Sequence, residues 1–312
     1  MIELFRNPRW DFIGKRKWAY LASLVFVLLS LGSLAARGGL RYDIDFTGGT
    51  LIQVRFERAP SVARIRAGLT PIGLGDSIIQ RFGDEREYII RLALKELGSE
   101  EIARRVQDAL AADPSFGALE IRRAEFVGPQ VGRDLQLQAL YAVLAGVLGI
   151  LLYIALRFDL KGGVAAIVAV FHDVLVCLGA LSLANREFSL PVLAAFLTVI
   201  GYSVNDTIVA YDRLRENRGK FVPKGKTFAE QMNDAVNQTL SRTVLTALTT
   251  FFSTAVLLVF GGKTLEDFAF VLVIGVITGT YSTIYVAAAI VVDWTRSVEG
   301  RLRRGKKAVA KA

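Results

Sequence analysis

Six stretches of the chain are nearly free of charge, and each is close to the ~20 residues that a bilayer-spanning helix needs. They are Trp18–Ala36, Leu137–Leu156, Gly162–Ala184, Phe188–Ala210, about Thr243–Phe260 and Phe268–Val292. The first carries Ser33-Leu34-Ala35, which resembles a signal cleavage site. Its apolar run exceeds the roughly 7–15 residues of a signal-peptide core, so it is expected to stay as a first membrane helix. Residues are 53% hydrophobic and mean hydropathy is +0.41, yet the pI is about 9.7. Apolar runs with basic residues between them indicate a membrane protein, not a nucleic-acid binder.

The basic residues also set an orientation. Arg157 and Lys161 follow the second run, and Arg213, Arg215, Arg218, Lys220, Lys224 and Lys226 follow the fourth. Arg296, Arg301, Arg303, Arg304, Lys306, Lys307 and Lys311 lie in the tail, and Arg6, Arg9, Lys15, Arg16 and Lys17 precede the first run. All share one side of the membrane if both termini are cytoplasmic. The opposite loops, Asn185–Glu187 and Gly261–Asp267, hold only Arg186 and Lys263. The chain then divides into a cytoplasmic N-terminus (1–17), helix 1 (18–36), an outward-facing soluble domain (37–134), helices 2–6 (135–293) with a cytoplasmic loop at 211–240, and a basic cytoplasmic tail (294–312).

The soluble domain reads as strand Leu51–Phe56, helix Ser61–Leu69, and strands Ser77–Phe82 and Tyr88–Leu94 around the turn Gly83-Asp84. A helix from Ser99 to Ala112 follows, with Ile102, Val106 and Leu110 on one face, and then strand Leu119–Val127. The order β-α-β-β-α-β is the ferredoxin-like α+β arrangement. Asp45–Thr50, DFTGGT, lacks the GK[ST] ending of a phosphate loop and precedes a strand, so Gly48-Gly49 predicts a turn or bulge. With one His and one Cys, little material exists for a zinc site, and no metal or other cofactor is expected.

Function should reside in the polar residues inside the runs, because an ionisable group there costs about 2.5–3.5 kcal/mol on insertion scales. Asp206 lies 18 residues beyond Phe188, and Arg242 lies 18 residues before Phe260. Each is roughly 27 Å deep at 1.5 Å per residue. Equal depth on successive antiparallel helices predicts that the two can pair. Thr239, Arg242, Thr246, Thr249 and Ser253 share one face at steps of three and four, and Thr198, Tyr202 and Asp206 repeat at four. His172 and Asp173, near mid-depth in the third run, are further candidates for a relay. Gly275 and Gly279 form a GxxxG in the last run, which allows close helix approach.

Several segments are specific enough to name a family. DFTGGT (45–50), FVGPQVGRDL (126–135), FHDVL (171–175), SLPVLAAFLTVIGYSVNDTIVAYDRLREN (189–217), LSRTVLTALTT (240–250) and FGGKTLEDFAF (260–270) are similar to the SecD/SecF family. Its members are membrane subunits of the bacterial protein-translocation machinery and relatives of the RND transporters. Asp43 stands where the family usually has Gly, a departure that bears on the local turn. The resemblance implies an RND-like half of six helices with a periplasmic domain after the first, in the bacterial cytoplasmic (inner) membrane. It further implies pairing with SecD, work beside the SecYEG channel on preproteins, and YajC and YidC as further candidate partners. The proton-motive force would drive that work, with H⁺ the expected coupling ion. The family's membrane aspartate falls on Asp206 and its membrane arginine on Arg242, with Asn205 and Thr207 flanking the aspartate. The resulting expectation is non-enzymatic: Asp206 alternates between an ion pair with Arg242 and a protonated form. An RND-type exporter of lipids or small molecules and a passive scaffold of the translocon are the alternatives.

Overall fold

The structure, a computed structural model, describes residues 5, 8–92, 99–157, 159–220 and 225–309. Expectations for Arg6, Ala93, Leu94, Lys224 and Lys311, and for the side chains of Lys220 and of Arg301 to Lys307, fall outside the described residues. Helix α1 (Arg16–Ala36) leads to a short strand β1 (Arg41–Tyr42), a single helical turn α2 (Ile44–Thr47) and strand β2 (Gly49–Phe56). Next come α3 (Val62–Leu69), β3 (Ile78–Arg81), β4 (Glu87–Leu92), α4 (Ser99–Ala111) and β5 (Leu119–Val127). The remaining elements are α5 (Pro129–Arg157), α6 (Leu160–Leu183), β6 (Glu187–Phe188), α7 (Leu190–Lys220), α8 (Phe228–Phe260), α9 (Lys263–Ser282), a π-helical turn (Thr283–Ala287) and α10 (Ala288–Val309).

Among the described residues, six segments are long and apolar enough to cross a membrane. Between the first and second lies a four-stranded sheet of order β3-β4-β2-β5, antiparallel throughout. That order matches the ferredoxin-like expectation. One sheet face is apolar because alternate residues of β2 and β4 point to it: Ile52, Val54 and Phe56, then Tyr88 and Ile90. Ile65 and Leu69 of α3 cover them, as do Ile102, Val106 and Leu110 of α4. Ser61 accepts a hydrogen bond from Arg64 N and caps α3.

Three predicted boundaries are corrected. The stretch expected as a loop at 211–240 is mostly helix, since α7 continues to Lys220 and α8 starts at Phe228. Thr227 and Glu230 form a capping box there. Charge marks the exit from the lipid but does not end a helix, because Arg, Glu and Lys are good helix formers. Likewise α5 begins at Pro129, a proline at the first helical position, before the expected end of the soluble domain at residue 134. The last span, expected at Phe268–Val292, runs from Lys263 to Val298 and contains the π-helical turn.

Glycine permits close contacts among the membrane helices. A Cβ added at Gly275 would stand 2.1 Å from Val199 Cγ2, and one at Gly279 would stand 3.2 Å from Ser203 Cβ. The GxxxG of α9 thus lies directly on α7, one turn before Asp206. Gly275→Leu is expected to cut the amount of protein accumulated in membranes several-fold, because a larger side chain must push α7 away. Gly149→Leu, at a position with nothing within 4 Å of an added Cβ, should accumulate normally. Quantitative immunoblotting of membranes distinguishes the two.

Candidate ion-pathway site

The inward face of α7 carries Ser203, Asp206 and Thr207 at steps of three and four, so all three point into the bundle. Their exposures are 0%, 6% and 2%. At Asp206, Thr243 Oγ1 of α8 donates to Oδ1 at 2.7 Å, and Thr283 lies beside the carboxylate. Its Oδ2 is buried without a hydrogen-bond partner among the described residues. Thr207 Oγ1 donates to Ser203 O at 3.2 Å and lies 3.0 Å from Thr283 Oγ1. Thr283 opens the π-helical turn, a distortion often found at functional sites.

A second carboxylate lies beside this group. Asp173 of α6 is 1% exposed. Ser203 Oγ and Ser282 Oγ donate to its Oδ2 at 2.6 and 2.7 Å, and His172 Nδ1 is 3.1 Å from Oδ1. His172 Nε2 is buried without a partner among the described residues.

The predicted pairing of Asp206 with Arg242 is not formed, and this is a correction. Arg242 is exposed on the outside of α8, and no ion pair joins it to Asp206 among the described residues. The depth argument holds, because the adjacent residue, Thr243, bonds the carboxylate. What depth alone cannot fix is rotation: neighbours on a helix lie about 100° apart, so if Thr243 faces inward Arg242 does not. Asn205 is turned outward in the same way, next to the inward Asp206. Thr246 and Thr249 are exposed too, their hydroxyls donating back to carbonyls of their own helix at 3.0 Å. Tyr202, one turn before Asp206, is half-buried between Thr246 and Thr280.

The predicted residues therefore separate into two sets. Asp206, Thr207, His172 and Asp173 meet inside the bundle. Arg242, Asn205, Thr246 and Thr249 form an outward polar stripe along α7 and α8. Ser203, Ser282 and Thr283 were missed, although Ser203 sits three residues before Asp206 and Ser282 three after Gly279.

Residues 107–297 match the family described as Protein export membrane protein SecD/SecF, C-terminal, and residues 33–60 match the SecD/SecF GG motif. The chain is 44% identical over 301 residues to the Protein translocase subunit SecF of Desulfurispirillum indicum, covering 94% of each. It is 45% identical over 291 residues to that of Magnetococcus marinus, covering 92% of each. The chain belongs to the SecD/SecF family. Among solved structures, it is similar to the crystal structure of SecDF, a translocon-associated membrane protein, from Thermus thermophilus, with TM-score 0.83 and 40% identity. That match covers 93% of this chain and 39% of the SecDF chain, so this chain spans about two-fifths of that longer protein.

The segment matched to the SecD/SecF GG motif forms the joint between the sheet domain and α7. Asp43, the departure from the family's usual Gly, caps α2 by accepting from Ile44 N at 2.7 Å. Gly48 and Gly49 have φ of 70° and 132°, a backbone that favours glycine. A Cβ on Gly49 would also stand 2.7 Å from Leu92 O. β1 pairs in parallel with β6 just before α7. Arg91 grips Glu187 through both guanidinium arms, Arg41 reaches Glu187 at 3.2 Å, and Asp43 lies 3.4 Å from Arg91. Finally, Asp45 Oδ2 accepts from Leu190 N at 3.2 Å, placing a carboxylate on the first amide of α7.

Burial works against the Arg91 charge, yet Glu187 more than offsets it and raises the Arg91 pKa. With side chains only 12% and 14% exposed, removing one partner leaves a charge largely buried. Glu187→Gln should therefore cost about 3 kcal/mol, with the double change Arg91→Gln/Glu187→Gln recovering part of it. Thermal unfolding of the solubilised protein reads both.

Burial also raises the Asp43 carboxyl pKa above its ordinary value, in part countered by Arg91. A raised value contributes stability that is present below the ordinary Asp range and lost as pH rises through the folded value. Relative to Asp43→Asn, the wild type should lose Tm on going from acid toward neutral pH. A constant difference across that range would contradict this assignment.

Proposed function

We propose that this chain is an ion-coupled subunit of the Sec export machinery, which uses the proton-motive force to promote preprotein passage through SecYEG. The observation that carries this reading is Asp206: a carboxylate buried inside the bundle, with Thr243 donating to one oxygen and the other without a hydrogen-bond partner among the described residues, in a chain of a translocase family. An oxygen without a donor is where a proton or a water can dock. Moving one charge through 100 mV supplies about 2.3 kcal/mol, enough to bias a two-state equilibrium of similar size.

The outward stripe supports pairing with a second subunit. An arginine and an asparagine in the spanning region do not face lipid at acceptable cost, and such groups are normally covered by protein or line a wet cavity. We assign the covering partner as SecD, which would supply the second six-helix half, with Arg242 in the interface and not within this chain's own bundle. YajC and YidC are retained as peripheral partners. Both termini are assigned to the cytoplasm and the sheet domain to the periplasm, on the distribution of Arg and Lys. Motion at Asp206 would reach the preprotein through α7 and the joint at Asp45 and Glu187. In this reading the chain binds no metal or nucleotide and performs no covalent chemistry.

The test uses inverted vesicles containing the chain, SecD and the channel. A proton gradient should accelerate late-stage translocation with the wild type and not with Asp206→Asn, at equal protein levels. Thr243→Val, which removes the donor to Oδ1 but keeps the carboxyl group, should retain part of the response. An undiminished gradient response from Asp206→Asn refutes the assignment.

A further inference from the structure

Asp206 is not the only acid in the bundle core, and the second one has the better-built site. Asp173 draws hydrogen bonds from three helices: His172 on its own α6, Ser203 on α7 and Ser282 at the end of α9. The titratable groups facing it are few. From α6 come His172 and, one turn on, the buried Cys177. From α7 comes Asp206, three residues past Ser203. From α9 comes Tyr281, whose ring lies 6.1 Å from that of His172 and whose hydroxyl contacts Ser23 of α1 at 3.1 Å. Tyr285 of the π turn stacks behind Tyr281 at 5.3 Å. The charged pair of α1 and α10, Arg16 and Asp293, is joined to itself at 2.8 Å. Among the described residues no Lys or Arg bonds to Asp173.

A lone carboxylate so enclosed is very costly, and a buried charge survives only when paired or neutralised. Asp173 has a single means of neutralisation at hand. The His172–Asp173 pair can hold one proton between them, as imidazolium with carboxylate or as imidazole with carboxylic acid. Both forms have the same proton count and differ only in which side of the 3.1 Å contact the proton occupies.

The pair is also tied to Asp206. Ser203 gives its hydroxyl to Asp173 and its carbonyl to the Thr207 hydroxyl, next to Asp206. Ser282 and Thr283 are adjacent where α9 passes into the π turn: one serves Asp173, the other meets Thr207 and lies beside Asp206. Any rearrangement at one acid thus alters the donors available to the other. We propose that His172 and Asp173 form a second proton-holding site, whose occupancy is coupled to that of Asp206 through one turn of α7 and the π turn. This deepens the proton-coupled reading of Asp206 and rests on it.

The chain has one histidine, so an imidazole signal belongs to His172 without further assignment. The experiment is a pH titration of the ¹⁵N-histidine-labelled full chain in lipid bilayers, comparing wild type, Asp206→Asn and Asp173→Asn. The His172 ring should titrate, and its midpoint should move by about one pH unit or more in Asp206→Asn, the size expected for interacting sites. Asp173→Asn should move it further. Should Asp173→Asn fail to fold, Asp206→Asn, which leaves the His172–Asp173 pair intact, still decides. A ring that never changes protonation, or one that titrates identically in wild type and Asp206→Asn, overturns the proposal. Failure of the Asp206 reading shows separately, as an undiminished gradient response in the vesicle assay with the His172 coupling still present.

Discussion

Two carboxylates buried within a lipid-spanning bundle, with no arginine or lysine bonded to them among the described residues, are the constraint on which the rest of the membrane architecture depends. Transfer of an unpaired charge from water to such surroundings costs far more than the stability of a typical domain, so it must be held by hydrogen bonds, a proton or both. The chain answers with hydroxyls. Thr243 serves Asp206, while Ser203 and Ser282 serve Asp173. Ser203 and Ser282 converge on Asp173 where α7 and α9 approach closely, and Gly275 and Gly279 permit that approach. Small residues at a helix interface are ordinary packing material in membranes. Here the same smallness brings Ser203 and Ser282 onto one carboxylate oxygen.

Much of this was legible in the sequence, and the parts that were not share a cause. Length and hydropathy report where a helix lies in the bilayer, and alternation reports which strand residues share a face. Hence the six spans, and the core of Ile52, Val54, Ile102, Val106 and Leu110, could be read directly. Depth counting also placed Asp206 level with the segment around Arg242. Helix rotation is different, because polar residues occur on both sides of α8 and composition does not say which side faces the bundle. Thr243 turned inward and Arg242 outward, and the predicted ion pair gave way to a hydroxyl contact. The helix ends at Lys220 and Phe228 were missed for a related reason: hydropathy senses lipid, whereas helices stop where capping chemistry stops them.

The joint between domain and membrane was hidden for another reason. Arg91 and Glu187 are 96 positions apart, and Asp45 and Leu190 are 145 apart. Neither contact has a local pattern. The glycines of DFTGGT predicted a turn, which is present, but not that its purpose is to carry Asp45 to the first amide of a membrane helix. The capping of α2 by Asp43 explains how an aspartate is accommodated where the family usually has glycine: its side chain occupies itself with Ile44 N and Arg91.

These features together make α7 a direct link between the buried carboxylates and the sheet domain. It has 31 residues, about 46 Å at 1.5 Å per residue, and carries Ser203, Asp206 and Thr207 near its middle. Its outer end is clamped to the sheet domain by a carboxylate on its first amide, an ion-pair cluster on Glu187 three residues earlier and a two-residue strand pairing. Packed cores and interfaces are bistable, not continuously deformable, so a small change at a buried acid is passed on only where a stiff element links it to a second contact. A continuous helix is such an element. The π-helical turn lies on the neighbouring α9–α10 helix and leaves α7 regular. The irregular turn that carries Thr283 is therefore separated from the regular helix that joins the buried acids to the sheet domain. If the π turn were on α7, a change at Asp206 would be absorbed locally before it reached the joint at Leu190.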